Sequence, residues 1–499
     1  MSVSSAVKVL AVGNYACSNI GDELLLATLK QWVEREGGEL TAITLNPVHT
    51  KNLHGLDAVS YYDLPAIADS ARQADILVLG GGGIFTDRFM FTLPQLYAYP
   101  SFTLAQFACV CYLAKQFDLQ LVLWAQGVGP LVTSDARQIV SDLFGIADHV
   151  SVRDAGSADL LREVGVEREV TVAPDPVWAM ELPDYPLDLR AKFPQLAGKK
   201  ILAVNPLVFE RSAELSTKLA AALKECLDDD WACLWIGFQK MALDYEDYHC
   251  AMPSDGPLIE KMVAQVGPCC THVIWDEPHI QELLPALRQV DAAVMARFHG
   301  AILALRARIP VVVIEYDNKV TQAAEMAGIP SGQRLRIEDT VEDYANALRG
   351  VLGKRLGQRP WRAGTDVLDA LAAAAGAHRK PIAEAIASAR TRTRERWKSD
   401  RYDWLFAWCT QIDGRRWQAE RTIWELTGAL EHARQQTEEE ARQCARLHDE
   451  LLDARKSIES MKVRETLGDA VASAKAPTLF GRIVAPLRRI RAKPSKGID

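Results

Sequence analysis

No Cys-x-x-Cys pair occurs among the ten cysteines of this 499-residue chain, so the usual ligand spacing of a structural zinc module is missing. Only Cys109 with Cys111, and the adjacent Cys269 and Cys270, lie close together, and reduced, mostly buried thiols are the simplest reading. Long hydrophobic runs are absent too: none approaches the roughly 20 apolar residues that span a bilayer. The first fifteen residues lack a basic stretch followed by a long apolar one, so they do not read as a secretory signal. The expected location is the cytoplasm, with the inner face of the membrane as a place of work. Positive charge is also short. Lys and Arg number 57 against 65 Asp and Glu, a net charge of -8, which argues against a nucleic-acid partner. There is no G-x-G-x-x-G, so a dinucleotide site has no support.

What is present is apolar material for more than one core, 48% of the residues. Short β-branched or apolar runs at 7–12, 76–79, 121–124, 201–204, 234–236, 292–295 and 311–314 alternate with helical stretches. That alternation predicts an α/β fold with parallel sheets covered by helices. A proline-rich stretch, 181–199, divides the signals into an N-terminal α/β domain, 1–180, and a second, 200–375, which together would enclose a cleft suited to a small molecule.

Beyond residue 380 strand signals stop. Residues 380–475 read as a helical, partly coiled-coil-like extension, with Ile423, Leu430, Thr437, Cys444, Leu451 and Ile458 at one heptad position and Leu426, Ala433, Glu440, Leu447, Ala454 and Met461 at the other, a seam with a weak polar middle. The seam suits either a homodimer or a helical hairpin folded back through Trp397, Trp404, Trp408, Trp417 and Trp424. The tail, 476–499, is basic with interleaved apolar residues. It reads either as a peripheral membrane contact on anionic lipid or as a solvated terminus.

Several strand runs end in glycine or in charged clusters, where open α/β sheets bind ligands. After the first comes Asn19-Ile-Gly21-Asp22, whose glycine permits a tight turn at a helix start that offers free N–H groups to an anion. Asp22 there is open to two readings, a helix cap or an acceptor contact. After 76–79 comes Gly80-Gly81-Gly82-Gly83 with Asp87, and after 121–124 comes Gln126-Gly-Val-Gly-Pro130, both permitting close approach to the main chain. Arg153, in Ser151-Val-Arg-Asp154, is either a planar fork for a carboxylate or phosphate or the partner of Asp154. Asp175-Pro176 either lines the cleft or makes a rigid turn. The sharpest signal is Arg297-Phe298-His299-Gly300 at the start of a helix, followed by Tyr316 and Lys319 after the next strand. Three cation-capable groups thus converge on strand ends.

In this order, over roughly residues 7–328, the motifs resemble the polysaccharide pyruvyl transferases, which move pyruvate from phosphoenolpyruvate onto a sugar as a ketal. The resemblance implies two Rossmann-like domains facing a cleft, similar to the GT-B glycosyltransferases, and a saccharide acceptor, free or lipid-linked. Phosphoenolpyruvate carries two anionic groups. Arg153, Arg297, His299 and Lys319 are expected to bind it, with His299, Arg297 and Lys319 catalytic: His299 as the acid, because an imidazole titrates near neutrality, and Lys319 beside the departing phosphate. Asn19, Gly21, Asp22, Gly81, Gly82, Gly83, Asp87, Gln126 and Asp175 are expected on the acceptor side. No motif requires a metal or cofactor, phosphoenolpyruvate being a substrate, although a divalent ion between Asp22 or Asp87 and a diphosphate fits the same residues. Two other readings fit part of the pattern: a nucleotide-sugar glycosyltransferase and a non-catalytic scaffold.

Overall fold

The computed structural model describes residues 6–17, 19–87, 104–181, 185–209, 211–240, 254–276, 278–355 and 357–392. Fourteen strands occur among them. The first eight are β1 (Val7–Val12), β2 (Gly38–Thr44), β3 (Asp57–Ser60), β4 (Ile76–Leu79), β5 (Gly82–Phe85), β6 (Gln120–Val128), β7 (His149–Val152) and β8 (Thr171–Val172). They form one sheet in the order β3-β2-β1-β4-β6-β7-β8, with β5 on β6. The other six are β9 (Lys200–Asn205), β10 (Trp231–Ile236), β11 (Thr271–Trp275), β12 (Ala292–Met295), β13 (Val311–Ile314) and β14 (Arg334–Leu335), ordered β11-β10-β9-β12-β13-β14.

Every pairing in both sheets is parallel. The central strands explain why. β4 reads ILVL, β12 AAVM and β13 VVVI, each buried along its whole length, as a strand must be when helices cover both faces. Parallel strands put all their carboxyl ends on one side, so the loops after β1, β4, β6, β7, β12 and β13 gather at one edge of each sheet.

The two sheets belong to one compact unit, residues 1–401, and a single apolar cluster runs through both, from Val9 and Trp124 to Ile201 and Val313. The segment expected as a linker is itself packed. Leu189 and Leu196 are buried, and Phe193 lies edge-on to Trp275 at 5.6 Å.

The helix Arg379–Thr391 departs from the expected boundary at residue 380. It lies against the first sheet, burying Ile382, Ala385 and Ile386. Gln120 donates to the Ala385 carbonyl at 3.0 Å, and the indole of Trp124 donates to that of His378 at 2.9 Å. The chain therefore returns from the second sheet to the first, and this helix packs on the first sheet. The heptad seam, the tryptophans and the basic tail lie outside the described residues. No helix among the described residues is long and apolar enough to cross a membrane.

Candidate functional site

The loop after β1 opens the site. Asn19 N-caps the helix Ile20–Arg35, its side chain accepting the Gly21 N–H at 3.0 Å. The capping role thus falls to Asn19, and Asp22 is left in the first turn with its carboxylate beside Gly82. Buried Glu23 shapes the loop: it accepts the Ala16 N–H at 2.7 Å and contacts His54 Nε2 at 2.7 Å.

This turn touches the second sheet directly. The Ile20 N–H donates to the Phe238 carbonyl at 2.9 Å, and Asn19 forms an isolated antiparallel bridge with Gln239. Gly21 faces the imidazole of His299: a Cβ on Gly21 would lie 2.1 Å from Nδ1, inside any tolerable contact. Any side chain there would displace the ring.

His299 sits in the first turn of the helix Phe298–Arg306, which follows β12. Its Nε2 is 3.6 Å from Asp175 Oδ2, an ion-pair distance longer than a hydrogen bond. Asp175 also meets Arg153 Nη1 at 3.4 Å and accepts the Val177 N–H at 3.0 Å. Burial alone would raise the Asp175 carboxyl. The neighbouring His299 and Arg153, with the Val177 N–H, outweigh it and hold the group at about 2. Asp175 was expected on the acceptor. Its oxygens instead serve His299, Arg153 and the turn, at 2% exposure.

Arg153 leaves the end of β7 and lays its guanidinium 5.2 Å above the Phe298 ring. Gly127 makes room, since a Cβ there would be 2.6 Å from Nη2. Asp154 does not pair with Arg153; it caps the next helix by accepting the Ser157 N–H at 2.7 Å.

Arg297 differs from the expected open clamp. Its Nη1 donates to Gln239 Oε1 at 2.9 Å and its Nη2 to the fully buried Asp255, leaving only Nε unpartnered among the described residues. Asp255 in turn accepts the N–H groups of Phe238 and Gln239, both at 3.0 Å. Neither Gln239 nor Asp255 stood out in the sequence, where no spacing links them to Arg297.

Lys319, after β13, keeps its ammonium 3.9 Å from Asp317 and 5.5 Å over the Tyr316 ring. Asp22 is in the field of Arg153, Lys319 and Arg297, yet burial first, and Glu23 next, push its carboxyl up to about 7. Two further residues expected on the acceptor side hydrogen-bond the main chain. Asp87 accepts the N–H groups of Val132, at 2.8 Å, and Thr133; Gln126 is fully buried and donates to the Leu79 and Gly80 carbonyls, both at 2.8 Å. Gly81 lies against Ala125, and Gly82 and Gly83 lie beside Asp22 and Arg153.

The model of the family described as polysaccharide pyruvyl transferase matches residues 19–318, which contain Asp22, Arg153, Asp175, Arg297 and His299 and end one residue before Lys319. The chain belongs to the polysaccharide pyruvyl transferase family. Among solved structures, a protein assigned as a UDP-N-acetylglucosamine 2-epimerase from Listeria monocytogenes aligns at a TM-score of 0.50 with 13% identity, over 77% of this chain and 96% of that one. An alpha,alpha-trehalose 6-phosphate synthase from Burkholderia multivorans aligns at 0.45 with 10% identity, over 77% and 98%. At such identities the first of these speaks to fold alone: the two-sheet, GT-B-like architecture. The pyruvyl transferase family match is what makes the chain an enzyme of this class.

Proposed function

We propose that this pyruvyl transferase family enzyme transfers pyruvate from phosphoenolpyruvate to a pair of hydroxyls on a saccharide, forming a cyclic ketal and inorganic phosphate. The observation that carries the reading is the juxtaposition of Arg153, His299 and Lys319, from three different strand ends and both sheets, around one edge. A small substrate with two anionic groups and a proton to gain needs that set.

Arg153 grips one anionic group of the donor, and Lys319 stands by the phosphate. Asp175 keeps the His299 imidazole aimed. His299 delivers a proton to C3 of the enol as an acceptor hydroxyl attacks C2. Phosphate then leaves C2, and the second hydroxyl closes the ring, its proton balancing the departing phosphate. Asp22, across the seam, takes a hydroxyl proton; a carboxyl titrating near 7 is matched to that task at neutral pH. Arg297 acts mainly by position, holding Gln239 and the loop that meets Asn19. Gly82 and Gly83 leave space for the sugar.

The acceptor side suits a free or lipid-linked sugar, and work at the inner membrane face is part of this proposal. The test is phosphate release by the pure protein with phosphoenolpyruvate and a panel of galactosyl, glucosyl and N-acetylmannosaminyl acceptors. Turnover with one acceptor is expected. Thermal stabilisation by uridine or guanosine diphosphate sugars, with none by phosphoenolpyruvate, would instead favour sugar transfer.

A further inference from the structure

Away from the cleft, the edge of the second sheet carries a cluster of thiols with an imidazole. Cys233 lies within β10, fully buried, and pairs in register with His272 of β11. Cys270 lies two positions before His272, so strand alternation brings it to the same face. Its Sγ is 3.8 Å from that of Cys233 and 3.9 Å from His272 Nε2. Cys269 is adjacent and in contact with Cys270, and its Sγ also reaches the Val266 carbonyl at 3.7 Å.

Three such ligand atoms in mutual reach would ordinarily suggest a metal ion, and the imidazole decides against it. Trp235 Nε1 lies 3.2 Å from His272 Nδ1. An indole N–H only donates, so Nδ1 must accept, and the proton of the neutral ring is on Nε2. There it faces the Gly267 carbonyl at 2.8 Å and the sulfur of Cys270. A nitrogen that carries a proton has no lone pair for a metal. It is, however, a donor to a thiolate.

We propose that Cys270 and Cys233 are a peroxide-sensitive dithiol, with Cys270 as the attacking sulfur and Cys233 as the one that resolves it. The neighbouring Cys233 thiol, and His272 after it, outweigh burial and lower the Cys270 thiol, whereas burial raises that of Cys269 and the Cys233 thiol is also raised. The Cys270 thiolate attacks one peroxide oxygen, the O–O bond breaks, and the other oxygen leaves as water after taking a proton. The resulting sulfenic acid is attacked by the Cys233 sulfur. A second water leaves with the Cys233 proton, and an S–S bond joins β10 to the edge strand β11. The thiols together lose two electrons and two protons, and the peroxide becomes two waters. β10 runs straight into the segment bearing Phe238 and Gln239, so the bridge is built on the strand that leads into the contacts with Ile20 and Arg297.

The experiment uses the reduced full-length chain, treated with hydrogen peroxide, blocked with a thiol reagent, digested and analysed by mass spectrometry. A peptide linked through Cys233 and Cys270 is expected. Cys233→Ser should lose the link and yield a Cys270 sulfenic acid trappable by dimedone, while His272→Leu should slow linkage about tenfold by removing the donor. Wild-type protein that links Cys269 instead, or leaves Cys270 unoxidised, overturns the proposal, as does stoichiometric copurified zinc that shields both thiols until a chelator removes it. The wild-type result stands even where a variant folds poorly.

Discussion

Two arginines reach the cleft, one from each sheet, and they are held in different ways. Arg153 rests on the Phe298 ring with a long, 3.4 Å contact to Asp175, and its Nε is unpartnered among the described residues. Arg297 is clasped by Asp255 and Gln239. A guanidinium on an aromatic face can turn its donors to an incoming anion at small cost. One in a closed buried pair cannot leave without stranding a carboxylate, which costs several kcal/mol. Equal arginines in sequence are thus held differently, and under the proposed function Arg153 is the ligand-facing one and Arg297 the positioning one.

The comparison breaks most visibly if Arg153→Ala spares activity. It should lower kcat/KM by about 10^3-fold with a smaller loss of melting temperature than Asp255→Ala, because His299 and the Val177 N–H still partner Asp175, read by phosphate release and calorimetry. Asp255→Ala should do the reverse in kind, costing about 3–5 kcal/mol of stability as the buried charge of Arg297 loses its partner, measured by urea unfolding. Gly21→Ala should reduce kcat about 10^2-fold with the fold retained, because the new methyl occupies the place of the His299 ring.

The smallest effects are in pH, and the two carboxyls differ in sign. Asp175 is held below its unfolded value, so it contributes about 2–3 kcal/mol that is fully present above about pH 5 and lost as pH falls towards 2. Asp22 is raised, so its ionisation burdens the fold as pH climbs from about 4 to 7 and stays a constant burden above that. Asp22→Asn should therefore raise the melting temperature at pH 8 and leave it unchanged at pH 4. Asp175→Asn should be most harmful at neutral pH and progressively less so in acid.

Much of the fold is legible because central parallel strands are largely apolar: β4, β12 and β13 are uninterrupted runs, and β1 and β9 are broken only by Lys8 and by the terminal Lys200 and Asn205. β3, β8, β11 and β14 do not. They are edge strands, partly exposed or only two residues long, and their polar residues look like loop. The helix Arg379–Thr391 has a visible apolar stripe, yet a stripe says nothing of which sheet covers it. At the site, Arg297, His299 and Lys319 were readable because each follows a strand run. What Arg297 binds was not, since Gln239 and Asp255 reach it only through tertiary folding. What Asp87, Gln126 and Asp175 bond within the fold was not readable either. A polar residue after a strand can serve a ligand or satisfy buried main chain, and local sequence looks the same either way.

The most direct test of the central claim is an isothermal titration of the full chain with phosphoenolpyruvate, wild type beside Arg153→Ala and His299→Ala. One site per chain is expected in the wild type, with binding lost or strongly weakened in Arg153→Ala. No heat with the wild type, or unchanged affinity in Arg153→Ala, would contradict the assignment of this cleft to phosphoenolpyruvate.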